Sequence, residues 1–318
     1  MAYKKKLYIL LSLVAALALI YTATFVFDPE AKNSRAASFT WIDSKTAAKT
    51  VKITIRAFAD ESSRDVTELV KKNEKWFVSH NGTEYPARQQ RVDDFLGILT
   101  ARAAWPVRSS TAASHPRLGV DQENAAWVTL SSENAALLDL LFGYEDNTGQ
   151  EIYLRKYGQN EVRSGERRIN TYVTGAVDSW YNLKWIPESE DGKIGVDNVQ
   201  RLSVYTQGGQ QVFSRKNKAW AVSGFTVEKL DQSSIDNYVR IILTTEGDDF
   251  IDYISADDPM FNDSRIVVEL GNGIVKTIRL SEADDSNRRF AAVDGYVYTI
   301  APWAVQRLFR PATDFDAR

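Results

Sequence analysis

Ile266 to Ile300 reads IVVELGNGIVKTIRLSEADDSNRRFAAVDGYVYTI, and its punctuation decides the fold class. Gly271-Asn272-Gly273 separates Ile266 to Leu270 from Ile274 to Leu280, and Asp294-Gly295 separates Arg289 to Val293 from Tyr296 to Ile300. Short β-branched and aromatic runs joined by Asn-Gly or Asp-Gly are hairpins, because these residues tolerate the positive φ that a tight turn needs. Hairpins give antiparallel pairs. Pro302 to Phe309 then starts with the proline that a first helical turn accepts.

The same grammar runs upstream. Leu202 to Tyr205, Gln211 to Ser214 and Ala219 to Val222 are predicted strands, after which Ile235, Tyr238, Val239 and Ile242 share one helical face. Ser233, three residues before Asp236, resembles a capping box with Asp for the usual Glu. In the first half, Val51, Ile53, Ile55 and Ala57 alternate with Lys52, Thr54 and Arg56, the period of a strand with one buried face. Val66 to Val70 and Trp76 to Val78 flank polar Lys71 to Lys75 as a hairpin. Val92, Phe95, Leu96 and Leu99 form a helical face, with Pro86 placed in the first turn. Trp127 to Leu130, Leu137 to Phe142, Ile152 to Arg155 and Thr171 to Thr174 complete the strands of that half.

Three matches suggest an internal repeat: Trp76-Phe77-Val78 with Trp220-Ala221-Val222, Val128-Thr129-Leu130 with Val268-Glu269-Leu270, and Trp185-Ile186-Pro187 with Phe309-Arg310-Pro311. The expected fold is α+β, two tandem, repeat-related modules of mostly antiparallel sheet with covering helices, at residues 50–190 and 198–318. Two unrelated α+β segments sharing generic patterning are the alternative.

The N-terminus has a different character. Lys4, Lys5 and Lys6 form a basic tip at residues 1–6, followed by Leu7 to Phe27, which carries no charge. A helix of that length rises about 31 Å, the thickness of a bilayer core. The lysines in front and Asp28 and Glu30 behind put the remaining mass across the membrane by the positive-inside preference. The expectation is a single-pass anchor at residues 7–27 in the inner (cytoplasmic) membrane, a tether at 28–49, and the bulk in the periplasm or extracytoplasmic space. A cleaved signal peptide ending near Ala16-Leu17-Ala18 is the competing reading. Phe39, Trp41 and Ile42 make an apolar knot in the tether, suited to docking on the first module.

Composition excludes several function classes. The chain has no cysteine, which removes disulfides, thiolate metal sites and cysteine nucleophiles. Its 42 acidic residues exceed its 39 basic ones, three of which precede the span, so the exported part is acidic and nucleic acid is not an expected partner.

Several of these features together resemble the "domain of unknown function 4340" family. They are the lysine-flanked span; the Trp-x-Val strands Lys75-Trp76-Phe77-Val78 and Ala219-Trp220-Ala221-Val222; Leu118-Gly119-Val120; Leu140-Leu141-Phe142-Gly143; and Tyr296-Val297-Tyr298 before a terminal helix. The family's Tyr-Gly-Leu reads Arg117-Leu118-Gly119 here. The resemblance implies an envelope protein found beside ABC-type export components and related to gliding-motility auxiliary proteins. It brings no catalytic residues.

Candidate chemistry is sparse. His80 and His115 stand beside Asn81-Gly82 and Pro116 without ligand-spaced partners, which favours surface or turn roles. Asp248, Asp249, Asp252, Asp257 and Asp258 lack the calcium-loop pattern, and Glu282, Asp284 and Asp285 invite the same judgement. Gly208-Gly209 lies between strands as a hairpin turn, and Ser62-Ser63 and Ser233-Ser234 are turn and cap residues. Trp76, Trp127 and Trp220 fit core positions, whereas Trp180, Trp185 and Trp303 leave an interface role open. Asn81-Gly82-Thr83 matches a glycosylation acceptor. The sequence therefore assigns no catalytic, cofactor-binding or metal residues and no cofactor. It predicts a non-enzymatic, membrane-anchored accessory or scaffolding subunit of an ABC-type transport complex with envelope protein partners. An extracytoplasmic ligand- or polymer-binding module and a carboxylate-based hydrolase are the alternatives.

Overall fold

The structure is a computed structural model that describes residues 13–18, 21, 38–58, 66–186, 194–262, 264–286 and 288–317. Of the predicted span 7–27, residues 13–18 and 21 are helical and exposed, and the rest lies outside the described residues. Among the described residues no helix is long and apolar enough to cross a membrane; that search does not address strands. Ser62 and Ser63 also lie outside them. The chain divides into two compact units, Met1–Tyr181 and Asn182–Arg318.

In the first unit, β1 (Ser38–Phe39) and a short helix α1 (Ser44–Ala47) precede β2 (Lys52–Arg56), β3 (Val66–Lys72), β4 (Lys75–His80), β5 (Thr83–Pro86) and helix α2 (Gln89–Thr100). β6 (Ala103–Ala104), β7 (Val107–Ser109), α3 (His115–Leu118), β8 (Ala126–Ser131), β9 (Ala136–Glu145), β10 (Glu151–Lys156) and β11 (Val162–Glu166) follow. Nine strands form one antiparallel sheet in the order β5-β4-β3-β2-β8-β9-β10-β11-β7. The expected alternation holds in β2, where Ile53 and Ile55 are buried between Lys52, Thr54 and Arg56. Val92, Phe95 and Leu99 make the buried face of α2, spaced by three and four as one helical stripe requires.

The second unit runs β12 (Val199–Thr206), β13 (Gly209–Lys216), β14 (Ala219–Ser223), helix α4 (Gln232–Thr244), β15 (Asp249–Ile251), β16 (Ser264–Leu270), β17 (Val275–Leu280), β18 (Arg289–Val293), β19 (Tyr296–Ile300) and helix α5 (Pro302–Leu308). Its sheet order is β14-β13-β12-β16-β17-β18-β19-β15. Strand for strand this is the order of the first unit without β5. Both units place a meander before the helix, a three-residue edge strand after it, and four strands inserted between the meander and that edge. This is the mostly antiparallel α+β class expected.

Equivalent residues perform the same local tasks. Asn73 and Glu74 turn β3 into β4 with φ of 48° and 63°, and Asn217 and Lys218 turn β13 into β14 with 50° and 67°. Two positive φ angles define the turn whose twist suits a hairpin, and Asn tolerates the first of them. Trp76 and Trp220 follow, each 4% exposed. Gln89 Oε1 accepts from the Trp76 amide at 2.8 Å while Gln89 Nε2 donates to Trp76 O at 2.9 Å. Gln232 closes the same clamp on Trp220 at 2.6 and 3.1 Å. At the far end of each unit, Arg88 N donates to Trp180 O and Asp231 N to Phe315 O, latching the helix entry to a buried aromatic. Trp180 meets Phe95 at 6.1 Å and Phe315 meets Tyr238 at 5.3 Å.

Several expectations are corrected. The register through the clamped strands sets Leu130 opposite Ile53 and Val268 opposite Leu202, so Leu130, not Val128, is the counterpart of Val268. A slip of two preserves the face and therefore the pattern. Trp180 is the counterpart of Phe315, which replaces the match between Trp185-Ile186-Pro187 and Phe309-Arg310-Pro311; Trp185 packs on Tyr298 in the second unit. Thr171 to Thr174 is no strand: Arg167–Tyr172 is a 3-10 helix whose turns are closed by threonine hydroxyls bonding back to Arg168 O and Asn170 O. Pro86 ends β5 rather than opening the helix. The cap of α4 is Asp231, whose carboxylate accepts from Ser233 N and Ser234 N, and Asp236 instead accepts from the Trp220 indole at 2.8 Å.

The back of the first sheet carries the family-like motif. Gly119 ends α3 with φ of 68°, and a Cβ there would sit 2.7 Å from the Tyr144 ring. A Cβ on Gly143 would lie 2.2 Å from Leu118 O. These two glycines let the Leu118-Gly119-Val120 loop lie flat on β9. Arg155 then donates from Nε and Nη2 to Val120 O at 2.9 and 2.8 Å, pinning the loop in place.

Candidate functional site

Residues 38–47 form a strap built into the first unit. β1 pairs with β6, and the amides of Trp41 and Ile42 both donate to Leu99 O, a carbonyl left free at the end of α2. Trp41 is 2% exposed and stands edge-on to Phe39 at 5.0 Å and to Trp105 at 5.3 Å. The Arg163 guanidinium lies 4.0 Å over the Phe39 ring and is itself held by Glu161 at 2.6 Å and Trp105 O at 2.7 Å. The apolar knot in an otherwise polar tether was the sequence signal for this docking, because three large apolar side chains in a linker need a surface to cover them.

Beside the strap lies a cleft of about 450 Å³. Thr40, Trp41, Asp43 and Thr46 form its strap wall, and Leu137 to Asp139, Lys156, Tyr157 and Gln159 form the sheet wall. Lys156 is the last residue of β10, turned toward Phe39 with its ammonium 5.4 Å from the ring. Among the described residues it forms no ion pair. Burial, and secondarily the nearby Arg163 charge, lowers its pKa below the usual lysine value. Asp139 accepts from the Thr129 hydroxyl at 2.7 Å, and Asp43 accepts from Thr46 N at 2.9 Å. The Thr46 hydroxyl and amide hold the Asp43 carboxyl below its ordinary value. Tyr157 is 47% exposed, yet its ring is fixed against Trp127 at 4.9 Å and its hydroxyl accepts from Gln122 Nε2 at 3.2 Å. Trp41 Nε1 is buried without a hydrogen-bond partner, as are the indoles of Trp105, Trp180 and Trp185, so this feature alone does not mark a ligand.

The residues singled out from sequence are dispersed by the fold. His80 ends β4 and pairs with Thr83 across the Asn81-Gly82 turn, which places the glycosylation-like triplet in a tight hairpin. His115 is buried rather than on the surface, with Nε2 3.1 Å from Asn160 O. Asp249 lies in β15, Asp257 is 3.8 Å from Arg279, and Asp258 caps the Pro259–Phe261 turn. Asp284 accepts from Ser286 N and Arg288 N, and Glu282 from Gln207. Among the described residues no group of three His, Cys, Asp or Glu is placed to hold a metal ion. Trp76 and Trp220 are core residues as expected. Trp127 is only half-buried on the other face of β8, since Ala126 and Val128 take the inward positions. Trp180 and Trp185 are buried, whereas Trp303 is 61% exposed with Arg307 5.8 Å from its ring. The cleft itself went unseen in the sequence: its walls come from three segments that periodicity does not bring together.

A family model described as Domain of unknown function (DUF4340) matches residues 76–265, more than half of the chain. The match begins at the first clamped tryptophan and ends in β16. It takes in the sheet wall of the cleft and both Gln–Trp clamps, and it leaves out the strap. No curated protein and no solved structure matches the chain.

Proposed function

We propose, for a chain that belongs to the DUF4340 family, a non-enzymatic accessory role: a membrane-anchored, extracytoplasmic scaffold of two copies of one module, serving an ABC-type transport complex. The observation that carries this reading is the strap. It makes the segment leading from the N-terminus part of the first unit, with Trp41, Phe39 and Trp105 interlocked, so that force or position is passed to a folded body rather than to a loose linker. The residues the two units share, the Gln clamps and the aromatic latches, serve architecture. Anchoring rests on the uncharged run Leu7 to Phe27 behind three lysines, and the ABC-type partner rests on the company the family keeps.

A mild-detergent pull-down of the full chain, with a form lacking residues 1–37 as control, tests the proposal. Permease and ATPase subunits recovered with the full chain alone support it. Their absence at equal expression of both forms overturns it. The cleft favours a second reading, an extracytoplasmic ligand-binding module, because its size falls within the usual range for small-molecule sites.

A further inference from the structure

We infer that the exposed back of the second sheet binds a phosphate group, clamped between Arg265 and Arg279. The inference rests on strand register within the second unit and is independent of the transport-complex reading.

Register places the two guanidiniums together. In β16 the alternate residues Ile266, Val268 and Leu270 are buried, which sends Arg265 to the opposite face, and in β17 the burial of Ile278 and Leu280 does the same for Arg279. Arg265 and Arg279 are direct cross-strand partners. Side chains so placed start about 5 Å apart, and like charges there repel. Tyr205, opposite Arg265 on β12, takes the other side, with the Arg265 guanidinium 4.3 Å over its ring. That contact holds the arginine through its charge and takes none of its N–H donors. Among the described residues Arg265 forms no ion pair, and Arg279 has only Asp257, 3.8 Å away with a side chain 95% exposed.

The first unit shows that the fold does not require this pair. Trp127 and Leu141 hold the equivalent positions there, directly opposite each other, and the arginine of that row, Arg56, is the cross-strand partner of the tryptophan. The second unit therefore carries a repulsive pair where its sister carries an apolar one. A phosphate monoester answers it: its dianion cancels both charges, and its terminal oxygens accept from both guanidiniums at once. A carboxylate has one charge and two oxygens, enough for one guanidinium. Asp257 is such a group, and its loose contact leaves the pair unneutralised. Thr277, exposed on β17 two residues from Arg279 and on the same face, adds a hydroxyl donor.

The full chain in mild detergent is titrated calorimetrically with glycerol 3-phosphate, with glycerol as the neutral comparator and dihexanoyl phosphatidic acid as the lipid arm. Saturable binding of glycerol 3-phosphate with a Kd below about 1 mM, weakening as salt rises, is expected, and none of glycerol. Arg265→Ala and Arg279→Leu each weaken it at least about tenfold without lowering the denaturation midpoint. Asp257→Asn tightens it, and Arg201→Ala, on the same face opposite Glu269, leaves it unchanged. Equal affinity for the ester and the lipid supports the inference with a soluble phosphate ester as the source, and a tighter lipid supports it with a headgroup. A readout without any variant is peptide-resolved modification of the wild-type chain by phenylglyoxal, from which glycerol 3-phosphate, and not glycerol, protects Arg265 and Arg279 while Arg56 stays reactive. No saturable binding up to about 10 mM, an equal loss in Arg201→Ala, or unprotected arginines at saturation overturns the inference.

Discussion

The first unit and the second unit run equivalent strands in one order, yet they finish their sheets differently. In the first, β5 covers the outer edge of β4, and Ala87 N adds a third hydrogen bond to the pair Gln89 already makes on Trp76. In the second, β14 is the edge, and Gln232 closes it alone. The first helix enters without a side-chain cap and uses Arg88 Nε on Tyr181 O, while the second enters through the Asp231 carboxylate. The strap, the pinned loop and the cleft belong to the first unit. The shared features are those that any copy needs to fold; the unshared ones are where a specific task is to be sought.

That comparison is most sharply tested at Trp41. Replacing it with Ala empties a fully enclosed site among Phe39 and Trp105 and is expected to destabilise the first unit by about 3–5 kcal/mol. Hydrogen-exchange mass spectrometry should show the loss in peptides of residues 38–181 and leave those of 194–317 unchanged. Equal loss in both would mean that the strap is not a private feature of the first unit.

The clamps give a smaller, graded test. Gln232→Ala leaves both Trp220 backbone groups without their partner and is expected to cost about 1–3 kcal/mol. Gln89→Ala should cost about half as much, because Ala87 N still reaches Trp76 O. Denaturant titration of each variant checks the ranking, and a larger cost for Gln89 would reverse the account of the two edges.

The smallest effect is acid sensitivity of the second helix. Hydroxyls of Ser234 and Ser233 and their amides lower the Asp231 carboxyl from 3.8 to about 2. A lowered carboxyl contributes stability that is complete above pH 3.8 and fades as pH falls toward 2. Asp231→Asn keeps the cap acceptor and removes the titration, so exchange protection of α4 should become flatter between pH 4 and 2. The first unit has its own acid-sensitive carboxyl in Asp146, lowered to about 2 by the Thr148 hydroxyl and the Glu151 amide, which serves as an internal control unaffected by the substitution.

Much of this architecture is written locally. Asp294-Gly295 and Asn81-Gly82 mark turns because few other residues accept their φ angles, and the helical faces of Val92 and Ile235 follow from spacing alone. What was hidden is non-local. β7 and β15 are three residues long, too short to show a period. Trp127 looked like core because its size, rather than its parity with Val128, dominated the reading. Thr171 to Thr174 carried β-branched side chains whose hydroxyls close turns instead. The cleft required Lys156 to be set beside residues 40–46, which only the strap's docking brings about.

The central pairing in each unit joins distant parts of the chain: Ile53 waits for Leu130, and Leu202 for Val268. During synthesis the meander β2-β3-β4 stands with β2 as a bare edge until β8 exists, and β12 later offers an edge of the same kind. Two look-alike edges on one polypeptide invite misassembly, with β16 annealed where β8 belongs. Trp127-Val128-Thr129 and Arg265-Ile266-Val267 occupy equivalent strand positions yet differ in every side chain, so the two edges face chemically different partners. Making the copies more alike should slow correct maturation even where each copy alone is improved.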